Sequence, residues 1–188
     1  MREYPDQHFV RTLAAVCRHG AAFGYRGHRD GRKFSRNIRA TSDEHAATAA
    51  DIANSLRLGE LQLVADLPVD LQGRVFFSPI GSVPKSGGGC RTIHHLSYPD
   101  HSSINDGISP SDATLTCPSI EGLLGRLRLL GRGSFVWKMD LKRAFRHIVV
   151  CAEDTLLLGF MFDGVGYLDL RLPFGSRSSP FIDRKSVV

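Results

Sequence analysis

Apolar residues recur at helical spacing in three segments of the chain, each between a capping residue and a glycine. The first segment follows Asp6, the second begins with a capping box at Thr41 and Glu44, and the third follows Ser119. The apolar stripes consist of Phe9, Leu13, Val16 and Cys17, of His45, Ala49, Ile52 and Leu56, and of Ile120, Leu123, Leu124 and Leu127. We therefore expect three helices, which end near Gly20, Gly59 and Gly131.

Other segments have the composition or the alternation of β-strands. Residues 74–80 and 92–96 flank the glycines 87–89, which predicts a hairpin. Residues 135–141 alternate apolar with other side chains, and a second hairpin is expected to turn at residues 163–166. Because helices and strands do not alternate strictly, we expect an α+β fold with an antiparallel sheet and flanking helices.

Composition narrows the classes of protein that fit. The chain has 188 residues, of which 42% are hydrophobic and 23% charged, which is typical of a folded domain. No apolar run approaches the roughly 20 residues that cross a bilayer, and the N-terminus lacks the apolar core of a secretory signal. The four cysteines are too far apart in sequence for a zinc or redox pair. We therefore expect an intracellular protein, in cytoplasm or nucleus, with no membrane partner and no secretion.

Positive charge is concentrated near the N-terminus. Residues 18–39 contain seven Lys or Arg and one acid, within a net charge of +5. Five of these cations form a candidate nucleic-acid-binding set: Arg26, Arg29, Arg32, Lys33 and Arg36. Aromatic residues lie among them, at Phe23, Tyr25 and Phe34, where they could stack on bases. A solvated basic loop explains the same pattern.

Asp140 is the carboxylate with the most informative position. It ends the predicted strand 135–141 and precedes a basic turn. A salt bridge to Arg143 or Arg146 is one interpretation, because a carboxylate there needs a positive partner. A ligand of a hard divalent cation is the other.

Three segments, taken together, resemble the reverse transcriptase domain of retrotransposons. They are SPIGSVPKSGGGCRTIHHLSYPDHSSINDGI at 78–108, FVWKMDLKRAFRHIVV at 135–150 and LPFGSRSSP at 172–180. The first is most similar to the retrotransposons that carry a tyrosine recombinase. The resemblance implies part of a right-hand polymerase, the fingers and some of the palm, over residues 74–182. Residues 1–73 would then be a helical lead-in segment with the basic loop.

The resemblance also implies functions for individual residues. Asp140 matches the first catalytic aspartate, which holds two Mg²⁺ ions together with the carbonyl group of Leu141. Lys85 and Arg91 match the basic pair that grips the triphosphate of the incoming nucleotide. Phe145 matches the aromatic gate under its sugar, and Phe174 and Gly175 match the lining of the nucleotide pocket. The implied partners are dNTPs and an RNA or DNA template with its primer, and the implied reaction is RNA-directed DNA synthesis.

The family's third motif, with two adjacent aspartates, does not occur in the 188 residues. We therefore expect a truncated fragment that does not polymerise by itself. A non-catalytic nucleic-acid-binding protein derived from a retroelement would lack the pair as well. Residues 183–188 match an in-frame translation of a common sequencing adapter, and we expect them to be foreign; a natural polar tail is the alternative.

Overall fold

The computed structural model describes residues 6–29, 36–84, 90–114, 119–137 and 140–187, with the backbone alone for 184–187. The helices are α1 Gln7–His19, α2 Ser42–Arg57, α3 Val69–Gln72, α4 Ile120–Leu130, α5 Ala152–Thr155 and α6 Ser179–Val187. The strands are β1 Leu61–Leu63, β2 Ile80–Pro84, β3 Cys90–His94, β4 Gly159–Phe162 and β5 Val165–Asp169. A 3₁₀ turn spans Ala144–His147.

The three long helices begin at the residues that the sequence predicts. The Asp6 carboxylate accepts from the backbone N–H of Phe9 at 2.9 Å, and Ser119 Oγ accepts from that of Gly122 at 3.0 Å. The capping box of α2 is complete: Thr41 Oγ1 accepts from the N–H of Glu44, whose carboxylate accepts from the N–H of Thr41. Each cap satisfies an N–H group that the first helical turn leaves without an internal partner.

The described strands form two small antiparallel sheets, which confirms the α+β prediction. One sheet has the order β1–β5–β4, and the other is the β2–β3 hairpin, with Ile80 opposite His94. The turn between β4 and β5 is shorter than predicted. It consists of Asp163 and Gly164, both with positive φ (48° and 78°), while residues 165 and 166 already belong to β5. An Asp-Gly pair adopts this left-handed geometry at low cost, which accounts for the tight turn.

The predicted strand at 74–80 is wrong, because β2 begins only at Ile80. The backbone N–H groups of Phe76 and Ser78 instead bond to the carbonyl oxygens of Leu156 and Gly159, at 2.8 and 2.9 Å. Phe77 makes a single parallel bridge with Gly159. The apolar run therefore reflects burial of Val75 and Phe76 in the core and not a paired strand.

The predicted strand at 135–141 is absent from its described residues. Phe135 is 98% exposed and Trp137 78% exposed, and no described strand pairs with residues 135–137, 140 or 141. The alternation of apolar residues produces a strand only where a neighbour accepts its hydrogen bonds and covers its face. The apolar stripe of α4 is exposed as well, at Ile120, Leu123 and Leu124.

Two groups of buried apolar side chains form the described core. The larger contains Phe23, Leu96, Ile104, Leu157 and Leu158. The smaller, at Ile52, Leu61, Ile80 and Phe160, packs α2 against both sheets. The lead-in segment 1–73 thus contributes β1 to the three-stranded sheet and α2 to the core. Residues 183–187 continue α6. None of the described helices is both long enough and apolar enough to traverse a lipid bilayer.

Candidate functional site

A cleft of about 660 Å³ lies between α2, the β2–β3 hairpin and the segment that follows Asp140. Its walls bring together most of the predicted site residues that the structure describes: Arg91, Asp140, Leu141, Phe145 and Phe174. These residues come from three segments that are distant in sequence. A cleft of this volume is large enough for a nucleotide-sized ligand.

Two aromatic rings and a cation form one wall of the cleft. The ring centroids of Phe145 and Phe174 lie 5.0 Å apart, with an angle of 41° between the planes. The guanidinium carbon of Arg91 lies 4.6 Å from the centre of the Phe174 ring. Such stacking restrains the Arg91 side chain while its N–H groups keep their donor capacity. The wall therefore combines an apolar surface with a positive charge.

The backbone around Gly175 fixes the position of Phe174. The backbone N–H of His94 donates to the Phe174 carbonyl at 2.8 Å, and Asn105 Nδ2 donates to the Gly175 carbonyl at 2.9 Å. Gly175 has a φ of 125°, and a Cβ there would overlap the carbonyl oxygen of His94. Only glycine fits this close approach of two backbones. Asn105, which is buried, has no motif that marks it in the sequence.

Asp140 is exposed, and no ion pair involves it among the described residues. The predicted alternative of a salt bridge to Arg143 or Arg146 is wrong, because other carboxylates bind both side chains. Arg146 Nη1 donates to both carboxylate oxygens of Asp169 at 2.6 Å, and Arg143 Nη2 donates to Glu60 Oε2 at 2.5 Å. In the described structure, the Asp140 carboxylate thus remains open to a ligand.

Glu60, Arg143, Arg146 and Asp169 form a charge network under the cleft. Arg146 and Asp169 are nearly buried, with side chains 9% and 8% exposed, and Arg146 Nε also approaches Glu60 at 3.4 Å. Burial alone would lower the pKa of Arg146, but Asp169 and Glu60 outweigh it and raise that pKa. Two cations and two anions leave the network neutral. A buried charge that is paired in this way does not carry the full desolvation penalty.

His94 is a buried neutral imidazole in the wall of the cleft. It is 5% exposed, and burial lowers its pKa to about 4. Nε2 lies 3.1 Å from the carbonyl oxygen of Gly159. This nitrogen therefore carries the proton and donates a hydrogen bond to that oxygen. Nδ1 has no hydrogen-bond partner in the described structure. The histidine links β3 to β4 through this bond, a long-range contact that no local sequence pattern indicates.

The described residues do not by themselves complete a magnesium site. Among them there is no cluster of three or more Asp, Glu, His or Cys side chains that could hold a metal ion. Asp140 could supply a carboxylate and Leu141 its carbonyl oxygen, and Asp51 also lines the cleft, whereas Asp169 is bound to Arg146. Mg²⁺ gives up its waters reluctantly and is usually bound by one or two carboxylates together with substrate phosphates, so the described residues would hold it only with a bound substrate.

The basic N-terminal set is only partly described, since Arg32 and Lys33 lie outside the described residues, as does Lys85. Arg26 pairs with Asp112 at 3.2 Å, and Arg36 is exposed. The predicted stacking of Phe23 on bases is wrong, because the ring is 1% exposed and belongs to the core.

Arg29 of the same set is held within the fold. Its Nη2 donates to the buried carboxylate of Asp154 at 2.6 Å, and its guanidinium lies 5.5 Å from the centre of the Tyr25 ring. Much of its hydrogen-bonding capacity is therefore satisfied by the protein. Its predicted contact with nucleic acid stays a prediction, as do those of Arg26 and Arg36.

Neither a family model nor a curated protein matches the sequence. Solved structures of viral enzymes do match. The foamy viral protease–reverse transcriptase dRH bound to double-stranded DNA is 21% identical, with a TM-score of 0.58 over 90% of this chain and 26% of that chain. The native prototype foamy virus protease–reverse transcriptase is 21% identical, with a TM-score of 0.57 over 86% and 19%. A further foamy viral complex with double-stranded DNA is 18% identical, with a TM-score of 0.55 over 94% and 37%.

The chain therefore spans between 19% and 37% of the length of these three relatives. At this identity the likeness concerns the fold: the small antiparallel sheets and helices match part of a reverse transcriptase chain. The resemblance to retrotransposon enzymes in particular stays a prediction.

Proposed function

We propose that this chain is the nucleotide-binding part, fingers and some of the palm, of an RNA-directed DNA polymerase from a retrotransposon. One observation carries the proposal: a single cleft gathers Arg91, Asp140, Leu141, Phe145 and Phe174 from three separate segments. The sequence resemblance assigns these same residues to one nucleotide pocket. The fold likeness to part of a reverse transcriptase chain supports the same interpretation.

Each wall of the cleft suits one part of a dNTP. Arg91, together with Lys85, which follows β2 in the sequence, would neutralise the triphosphate. The Phe145 ring would lie under the sugar and leave no space for a 2′-hydroxyl group. Asp140 and the Leu141 carbonyl would supply oxygen ligands for Mg²⁺, which stabilises the charge that develops during phosphoryl transfer. Primer and template, RNA or DNA, would occupy the open side.

A non-catalytic nucleic-acid-binding protein is the second candidate, and the exposed cations Arg26 and Arg36 favour it. In both cases we expect no primer extension by this chain, because a two-metal reaction needs a second carboxylate. The two candidates differ in what the cleft binds. A polymerase pocket binds a free dNTP, whereas a nucleic-acid-binding surface has no need to.

An equilibrium titration with dTTP and Mg²⁺ tests the proposal. Isothermal titration calorimetry measures the dissociation constant and needs no reporter group. We expect Arg91→Ala to weaken dTTP binding by about tenfold, the loss of one charge-assisted contact. Arg128→Ala is the matched control, because Arg128 is an exposed arginine of α4 that does not line the cleft. Equal affinity in both variants would contradict the proposal.

A further inference from the structure

We infer that Glu60 is a positioning residue of the cleft: through Arg143 it sets the conformation of the turn that carries Phe145. Glu60 lies in the predicted lead-in segment, outside all three motifs that resemble reverse transcriptases. The consequence for nucleotide selection rests on the proposed function. The consequence for the turn itself does not.

The backbone of Glu60 is fixed from two sides. Its N–H donates to the Ser55 carbonyl at the end of α2, at 2.8 Å, and its carbonyl accepts from the N–H of Leu170 at 2.9 Å. Ser55 Oγ also donates to Glu60 Oε2, at 3.1 Å. Glu60 is 8% exposed. The carboxylate is thus anchored between a helix and the three-stranded sheet, and it has little freedom to follow a partner that moves.

The partner of Glu60 has an unfavourable backbone conformation. Arg143 has φ 59° and ψ 39°, the left-handed region, which is unfavourable for an L-residue other than glycine. Its side chain donates to Glu60 Oε2 at 2.5 Å and to Ser55 Oγ at 3.1 Å. A surrounding structure must hold such a residue in place, and these two bonds are the side-chain contacts that do so.

The left-handed residue determines where Phe145 lies. Arg143 directly precedes the 3₁₀ turn Ala144–His147, and its carbonyl accepts from the N–H of Arg146 at 2.8 Å. The next hydrogen bond of the turn joins the N–H of Ile148 to the Phe145 carbonyl at 3.1 Å. If Arg143 relaxes to an ordinary conformation, the chain direction at Phe145 changes. Its ring then moves away from the Phe174 ring.

Arg146 makes the effect of Glu60 specific to Arg143. Asp169 binds Arg146 through both carboxylate oxygens at 2.6 Å, whereas the contact from Arg146 to Glu60 is longer, at 3.4 Å. Glu60→Gln therefore leaves Arg146 paired and takes the carboxylate partner from Arg143. The predicted consequence is a loosened turn in a folded protein.

Amide hydrogen exchange on the 188-residue chain tests the inference. In Glu60→Gln we expect the amides of Arg146 and Ile148 to exchange about tenfold faster or more, while the amide of His94, bonded to Phe174, keeps its rate. Glu121→Gln, an exposed glutamate of α4, is the control and should change neither. Unchanged protection of Arg146 and Ile148 in Glu60→Gln would overturn the inference.

A second variant covers the case in which Glu60→Gln fails to fold. Arg143→Met removes the other partner of the same ion pair. The Arg143 side chain is 29% exposed, so its replacement buries less new apolar surface than a change in the core would. Hydrogen exchange at the amides of Arg146 and Ile148 must become faster in this variant as well. Full protection of both in a folded Arg143→Met protein would overturn the inference as well.

The ratio of dUTP to UTP affinity, for two nucleotides that differ only in the 2′-hydroxyl group, separates positioning from general destabilisation, because a lower folded fraction reduces both affinities equally. We expect the ratio to fall about tenfold in Glu60→Gln and to stay unchanged in Glu121→Gln. An unchanged ratio in Glu60→Gln would overturn the link to nucleotide selection. If the wild-type chain binds neither nucleotide, the proposed function is wrong, and hydrogen exchange alone decides on the turn.

Discussion

Phe145 lies at the centre of the proposed specificity, because its ring packs 5.0 Å from that of Phe174 in the wall of the cleft. Phe145→Ala removes the ring and opens space under the sugar. We expect it to admit ribonucleotides, with about a tenfold loss of dUTP-over-UTP preference, while Phe145→Tyr keeps the preference. Paired titrations of the three proteins with dUTP and UTP, which differ only in the 2′-hydroxyl group, measure this. Equal preference in wild type and Phe145→Ala would remove the assignment.

His94 makes stability depend on pH. The unfolded chain binds a proton near pH 6.5, whereas burial lowers the pKa of His94 in the folded chain to about 4. Between these values each fall in pH favours the unfolded state. The contribution of the neutral His94 side chain to the free energy of unfolding is therefore complete above about pH 6.5, and it decreases as the pH falls towards 4. It amounts to at most about 3 kcal/mol.

Urea denaturation at several pH values measures this contribution through the difference between wild type and His94→Gln. The free energy of unfolding of the variant should vary less over that window, since glutamine does not titrate. Parallel curves for the two proteins would show that His94 is not buried as a neutral group.

Among the elements, those that depend on local chemistry could be predicted from the sequence. The starts of α1, α2 and α4 follow from Asp6, Thr41 and Ser119, because each cap bonds an N–H group within three residues. The strand expected at 74–80 does not form, and the described part of the one expected at 135–141 does not either, because a strand needs a partner that is distant in sequence. The motif residues of the site were instead assigned through the resemblance of three segments to reverse transcriptases, and their functions stay predictions.

The supporting residues of the site required the structure. Glu60 and Arg143 are 83 positions apart, and Asn105 and Gly175 are 70 apart. No periodicity or cap indicates such pairs. In the sequence Asp169 appears as an ordinary member of an alternating strand, although its side chain is buried against Arg146.

The cap of α2 offers a quantitative test at this scale. Thr41→Ala removes the hydroxyl group that accepts from the backbone N–H of Glu44 and donates to its carboxylate. We expect the free energy of unfolding to fall by about 1 kcal/mol. For a chain of this size that corresponds to a decrease in Tm of about 2–4 °C. Ser42→Ala, at the exposed neighbouring position, is the control and should leave Tm nearly unchanged. Equal Tm values for the two variants would contradict the importance of the box.

At the scale of the whole molecule, the excess of positive charge should produce weak binding to a primer–template without sequence preference. The cations expected to contact phosphates are the basic set that includes Arg26 and Arg36, together with Arg91 at the cleft. For two phosphate contacts, affinity should fall about tenfold when salt rises roughly fourfold, because condensed counterions are released on binding. Fluorescence anisotropy with a labelled duplex measures this. Affinity that does not change with salt would exclude electrostatic binding.

The proposed function requires that the cleft binds a dNTP. The direct measurement is a map of backbone amide NMR shifts of the 188-residue chain during titration with dTTP and Mg²⁺. We predict saturable shifts at Thr92, Phe145 and Phe174, which line the cleft, and none at Leu124 on α4. No saturable shift, or shifts confined to the basic segment around Arg26, would contradict the account.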